Sequence, residues 1–159
     1  TAQKSGKIIC ISGGGATNAR PNFSAYSVAK TGLVRFCEVL ANELLPYNVH
    51  VNCIAPGAMP TDMLKQVVKA GPEAAGKKEF SSAETAMQKD DSVFEKASSL
   101  AAFLASSESD GITGRLLSAV WDPWESLPGH ADEMASSDLY TLRRIVPKDR
   151  GLDWDNNGK

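Results

Sequence analysis

Long apolar runs are missing. No stretch of the 159 residues approaches the ~20 consecutive apolar residues of a membrane-spanning helix, and the first residues carry no secretory pattern, so nothing places the chain in a membrane or marks it for export. Basic runs are missing too: Lys and Arg never stand more than two together and the net charge is −2, which argues against nucleic acid or an anionic membrane as partner. Small molecules or protein surfaces remain. Histidine is nearly absent, and the two present, His50 and His130, lie far apart without cysteine or paired-carboxylate spacing, so no metal site is expected. The three cysteines, Cys10, Cys37 and Cys53, are odd in number, lack a CxxC spacing and sit in apolar surroundings. They read as buried free thiols of a reducing compartment, and the chain as cytoplasmic. There is no internal repeat or low-complexity tract. Nor is there an initiator Met before Thr1-Ala2-Gln3-Lys4, which raises the question of a chain that begins mid-protein.

What is present is an ordinary globular composition, 42% hydrophobic and 23% charged, long enough for one domain. Lys7-Ile8-Ile9-Cys10-Ile11-Ser12 is a continuous apolar run ending at Gly13-Gly14-Gly15, the pattern of a strand covered on both faces and hence of a parallel sheet. A helix is expected from about 24 to 45, with Val28, Gly32, Leu33, Phe36, Leu40 and Leu44 on its apolar face. Pro46 and Asn48 stop it, Val49 to Ile54 forms a second strand, and Ala55-Pro56-Gly57 makes the turn beyond. This is a βαβ unit. Residues 60–91, broken at Gly71-Pro72, read as short helices in a lid-like excursion. Ser92 to Glu95 reads as a capping box opening a helix to about Ser106, with Val93, Ala97, Leu100, Ala101 and Leu104 buried, and Ile112-Thr113-Gly114 leads into a third strand near 115–120. The tail, 121–159, reads as an extension packed on the same domain, with one short helix around 137–144.

The stretch Tyr26-Ser27-Val28-Ala29-Lys30 sets a phenol and an ammonium one helical turn apart, on one face. Tyr26 falls in the first turn of the expected helix, where unpaired amides and the macrodipole favour negative charge. An ordinary tyrosine titrates near pH ~10, and bringing it to ~7 takes about 4 kcal/mol, which the Lys30 ammonium and a cationic ligand could supply in a dry site. The product is a general acid/base for an alcohol oxygen. The spacing alone is weak evidence, since a solvated helix face gives the same pattern. Its context is stronger, because the Ser12-Gly13 turn, the Tyr26 helix entry and the Pro56-to-Thr61 turn all fall at the carboxyl ends of parallel strands, where ligands bind.

With these pieces in order, the sequence resembles the short-chain dehydrogenase/reductase family in its common form. The matching segments are IICIS before a glycine turn, YSVAK, VNCIAPG with Thr61 four residues on, AAFLASSES, and ITG before the last strand, over roughly residues 5–120. The resemblance implies an α/β, doubly wound, Rossmann-like parallel sheet. It also implies an oxidoreductase using NAD or NADP on a small-molecule carbonyl/alcohol pair. Tyr26 is then the acid/base during hydride transfer. Lys30 tunes Tyr26 and binds the nicotinamide ribose, Pro56, Gly57 and Met59 line the nicotinamide, and Thr61 contacts its carboxamide or the phosphates.

Two departures accompany the resemblance. The family places a Ser thirteen residues before the Tyr; here that slot is Gly13, with Ser12 one position away, either reaching the substrate oxygen as a catalytic donor or closing the turn backbone. The glycine-rich phosphate turn of the first strand is also absent. Residues 1–120 therefore look like the C-terminal half of such a domain, with about three strands. The strand bearing Ser12 would then show an unpaired edge, which predicts a homo-oligomer or association with a missing N-terminal half. Two alternatives stand beside this: a catalytically inactive piece serving as a folded interaction module, and an epimerase or dehydratase using the Tyr-Lys pair on a nucleotide sugar. Trp121, Trp124 and Trp154 read as tail residues packing on the core rather than a pocket wall. Arg143, Arg144, Lys148 and Arg150 read as a solvated face, and Asp90-Asp91 as a helix cap.

Overall fold

The computed structural model describes residues 2–154. The first apolar run forms strand β1 (Gly6–Ile11), the second β2 (Val49–Ala55), and a short β3 (Leu116–Ser118) follows Ile112-Thr113-Gly114. All three pair in parallel in the order β1-β2-β3, with Gly6 opposite Val49, Ile11 opposite Ile54 and Cys53 opposite Leu116. Parallel neighbours need crossovers. Helix α1 (Ser24–Leu44) makes the first, and α2 (Asp62–Ala75), α3 (Lys77–Met87) and α4 (Ser92–Ala105) lie within the second. Helix α1 packs on one face of the sheet and α4 on the other, which gives the doubly wound α/β arrangement expected, in partial form.

Strand β2 is central and buried along its first six residues. Val51 and Cys53 meet Val34, Cys37 and Ala41 of α1, while Ile54 meets Leu100, Phe103 and Leu104 of α4. The period of two along the strand divides one apolar run between two cores. Strand β1 differs from expectation: Ile8 and Ile11 are exposed, Ile11 by half. Among the described residues it is an edge strand, as the missing-half reading expected of the strand that bears Ser12. Cys10, Cys37 and Cys53 are free thiols gathered under α1, and burial pushes Cys53 up to about 11 and Cys37 further, so neither is a ready thiolate.

The apolar face assigned to α1 from sequence is the wrong one in part. The buried stripe is Val34, Cys37, Glu38 and Ala41, with Leu33, Leu40 and Leu44 at its border, while Val28 is 73% and Phe36 57% exposed. The helix carries two apolar stripes, and a single sheet face can cover only one. On α4, Phe103 joins Leu100 and Leu104 in the core, and Val93, Ala97 and Ala101 are half-buried. The expected capping box does not form. Asp90 instead accepts hydrogen bonds from the Ser92 amide at 3.1 Å and the Ser92 hydroxyl at 2.5 Å, so that hydroxyl acts as donor to a carboxylate and leaves Glu95 without its reciprocal partner.

The excursion is two helices, α2 and α3, with α2 kinked where Gly71 takes φ 78° ahead of Pro72 and the turn to α3 made at Gly76, φ 84°. The tail helix falls at α5 (Ala131–Ala135), and 137–144 is irregular rather than helical. The cause is Arg115, a buried guanidinium that donates to the carbonyls of Met134, Ser137 (3.1 Å) and Leu139 (2.6 Å), while the Leu116 amide takes the Tyr140 carbonyl at 2.9 Å. Gathering these carbonyls around one guanidinium carries the chain out of helical geometry. These bonds bring Tyr140 and Thr141 to the carboxyl end of the sheet. Among the described residues no helix is long and apolar enough to cross a membrane, and no three His, Cys, Asp or Glu side chains are grouped to hold a metal ion.

Candidate active site

A cleft of about 1100 Å³ opens at the carboxyl ends of the three strands. Its wall includes every residue to which the sequence assigned a catalytic or cofactor-binding part: Ser12 beyond β1, Tyr26 and Lys30 in the first turns of α1, and Pro56, Gly57, Met59 and Thr61 beyond β2. The convergence follows from topology, since parallel strands joined by crossovers present all their exit turns on one side of the sheet.

The ammonium of Lys30 donates to the Ile11 carbonyl at 2.9 Å and stands 5.9 Å from the centre of the Tyr26 ring. One N–H is thus spent on holding the lysine at the end of β1, which leaves two for a ligand. Ser12 is 3% exposed; its amide donates to the Ile54 carbonyl at 2.8 Å and its hydroxyl to the Lys30 carbonyl at 3.2 Å. The hydroxyl therefore ties β1 to α1 in this structure. Gly57 turns the chain out of β2 with φ 93°, and a Cβ there would lie 2.8 Å from Val120. Thr61 stands at the N-cap position of α2 with extended backbone and without its hydroxyl capping the helix.

The glycine turn has a plain physical reason. A Cβ on Gly13 would lie 2.5 Å from the Tyr26 hydroxyl oxygen, and one on Gly15 2.8 and 2.9 Å from Tyr26 ring carbons. These two positions form the bed on which the phenol lies. At Gly14 a Cβ would meet nothing within 4 Å.

Several residues of the cleft gave no signal in the sequence. Arg20 lays its guanidinium carbon 4.7 Å from the Phe23 ring centre and 5.2 Å from that of Tyr26, and forms an ion pair with Glu79 of α3. Phe23 meets the Tyr26 ring edge-on at 6.5 Å. Asp122, which accepts from the Ser118 amide at 2.6 Å, and Tyr140 complete the wall beyond β3. Arg20 and Glu79 are 59 residues apart, so only the fold brings them together. Of the three tryptophans, Trp124 packs on Phe103 at 5.6 Å as the tail reading expected, whereas Trp121 is 85% exposed beside the cleft and Trp154 is also exposed. Trp121 leaves the core because the turn after Ser118, closed by Asp122, carries the chain outward. Arg143 is ion-paired to Asp138 and Asp149 at the surface.

A family model described as Enoyl-(Acyl carrier protein) reductase matches residues 1–119. Dehydrogenase/reductase SDR family member 4 of Homo sapiens is 39% identical over 62 residues, 39% of this chain and 22% of that protein. The 3-oxoacyl-[acyl-carrier-protein] reductase FabG of Chlamydia trachomatis is 41% identical over 64 residues, 40% of this chain and 26% of that protein. Among solved structures, an NAD+-bound xylitol dehydrogenase superposes with a TM-score of 0.58 at 26% identity, covering 74% of this chain and 48% of its own. A short-chain type dehydrogenase/reductase from Mycobacterium ulcerans gives 0.56 at 28%, covering 72% and 40%. The chain thus spans about a quarter of the length of the curated relatives it matches and under half of these two structures.

Proposed function

This chain belongs to the short-chain dehydrogenase/reductase family, and we propose that its cleft is the proton-transfer and nicotinamide side of an NAD(P)-dependent oxidoreductase acting on a small-molecule carbonyl/alcohol pair. The observation that carries this is the meeting of Tyr26, Lys30 and the Pro56-to-Thr61 turn in one cleft at the carboxyl ends of a parallel sheet. The residues fit a nicotinamide nucleoside. Two unspent N–H groups on Lys30 suit ribose hydroxyls, the Pro56-Gly57 bend and Met59 offer an apolar wall to a ring, and the Thr61 hydroxyl is left over for a carboxamide or phosphate. When bound, the cofactor supplies the two-electron chemistry. The chain's own part is the proton. Tyr26 gives one to a carbonyl oxygen or takes one from an alcohol, and the Lys30 charge and the amides of the first turn of α1 favour the phenolate that results.

Ser12 serves as donor to the substrate oxygen only by leaving the Lys30 carbonyl. That bond, and the lack of any side chain at Gly13, favour a second reading in which the chain is a non-catalytic interaction module. Cofactor binding separates the two. Trp121, exposed at the cleft, is a suitable reporter. Fluorescence titrated with NADH or NADPH is expected to saturate in the natural full-length polypeptide and to give weak or no saturable binding in residues 1–159 alone. A full-length protein that binds neither nucleotide would leave the interaction module as the better account.

The uncovered stripe of α1 supports a homo-oligomer. Val28, Gly32, Phe36 and Val39 recur at helical spacing on the side away from the sheet, and a second copy of α1 laid against them would remove the patch from water. Phe36→Arg is expected to halve the mass measured by light scattering; an unchanged mass rules this face out as the interface. Three free thiols, two of them buried, agree with a reducing compartment such as the cytoplasm.

A further inference from the structure

We infer that Arg20 is a positioning residue of this site: clamped by Glu79 of α3, its guanidinium lies over the Tyr26 ring as a second positive charge beside Lys30, so that seating of the excursion sets the charge the phenol feels. This rests on Tyr26 as the proton-transfer group. The observations are independent of the motif that suggested that role. Arg20 sits on the connection between β1 and α1, stacked on Phe23 and Tyr26 at 4.7 and 5.2 Å, and its ion pair reaches across 59 residues to the excursion. Both partners are mostly shielded, with side-chain exposures of 26% and 18%, so their interaction is less screened than a surface pair. A second close approach lies beside it: the turn between α2 and α3 runs against the same connection, where a Cβ on Gly76 would be 3.3 Å from the side-chain Nδ2 of Asn22.

The charged and titratable groups that line the cleft with Tyr26 are Arg20, Lys30, Lys78, Glu79, Asp122 and Tyr140. Of these, Arg20 and Lys30 have their charged groups within 6 Å of the phenol ring centre. Arg20 is in turn held charged by its hydrogen bond to Glu79, which outweighs the opposing effect of burial. A cation so placed stabilises the phenolate, and the carboxylate behind it attenuates that effect. Arg20 and Glu79 therefore act on Tyr26 with opposite sign. A merely structural pair would not: losing either partner would loosen the same contact in the same way.

The test uses the natural full-length polypeptide and the variants Arg20→Leu, Arg20→Lys and Glu79→Gln, each confirmed folded by circular dichroism. In the alcohol-oxidising direction, the acidic limb of the rate profile is expected to move to higher pH by about one unit in Arg20→Leu, to lower pH in Glu79→Gln, and little in Arg20→Lys. The tyrosinate absorbance that is lost in Tyr26→Phe should move in the same directions without substrate or cofactor. Displacements of one sign in both Arg20→Leu and Glu79→Gln, or none in either, would overturn the inference. Should Arg20→Leu not fold, Glu79→Gln decides alone: a limb that stays in place or moves to higher pH counts against it. Turnover that survives Tyr26→Phe would instead defeat the proposed function, and the absorbance titration would still decide the role of Arg20.

Discussion

Replacing Tyr26 by Phe is expected to lower turnover by about three orders of magnitude while changing nucleotide affinity by less than about twofold. The substitution removes one oxygen and keeps the ring. The ring is what packs, edge-on to Phe23, beneath Arg20 and against Gly15, so the fold has no reason to respond. Nucleotide affinity has little reason to respond either, since the proposed nucleotide contacts, the Lys30 ammonium, the Pro56-Gly57 bend and Thr61, are untouched. What is lost is the proposed proton carrier, and the two carboxylates of the cleft are already engaged. Asp122 is engaged by the Ser118 amide and Glu79 by Arg20. A steady-state comparison of kcat with nucleotide Kd reads both quantities. If Tyr26→Phe turned over at the wild-type rate, Tyr26 would be a packing residue and the chemistry would lie elsewhere.

The second large effect is expected at a residue with no side chain. Gly15→Ala places a Cβ 2.8 and 2.9 Å from two ring carbons of Tyr26, inside any acceptable contact, so the ring must move. Displacement by about 1 Å at a reacting group costs on the order of 100-fold in rate. The loss of stability should be modest by comparison, because the ring lies at the edge of an open cleft and has room to yield. Gly14→Ala is the control: its new methyl meets nothing within 4 Å, and its rate should stay near wild type. Equal rates in the two variants would mean that the glycine turn does not set the position of the phenol.

The parts of this protein legible in the sequence were those encoded locally or by short periods. Continuous apolar runs with glycine and proline exits gave β1, β2 and their parallel pairing, and the three exit turns then had to share one side of the sheet. Tyr26 and Lys30 face one way because they are one helical turn apart. Helical periodicity was less decisive for α1, where two stripes qualified and only the sheet could choose between them. The capping box of α4 did not form because the Ser92 amide and hydroxyl both donate to Asp90, two residues upstream. The tail lost its helix to Arg115, whose buried guanidinium draws the carbonyls of Met134, Ser137 and Leu139 into one cluster.

By itself, then, the sequence determined the α/β architecture, the end of the sheet at which a ligand would sit, and the phenol and amine that face it, all consequences of spacing along one strand or one helix. The tertiary structure alone decided that Gly13 and Gly15 make the bed for Tyr26, that Ser12 is tied to the Lys30 carbonyl, and that Arg20 reaches over the ring under the hold of Glu79. Those are contacts between elements far apart along the chain, and no local period records which side chain will find which once two crossovers have folded onto a common sheet.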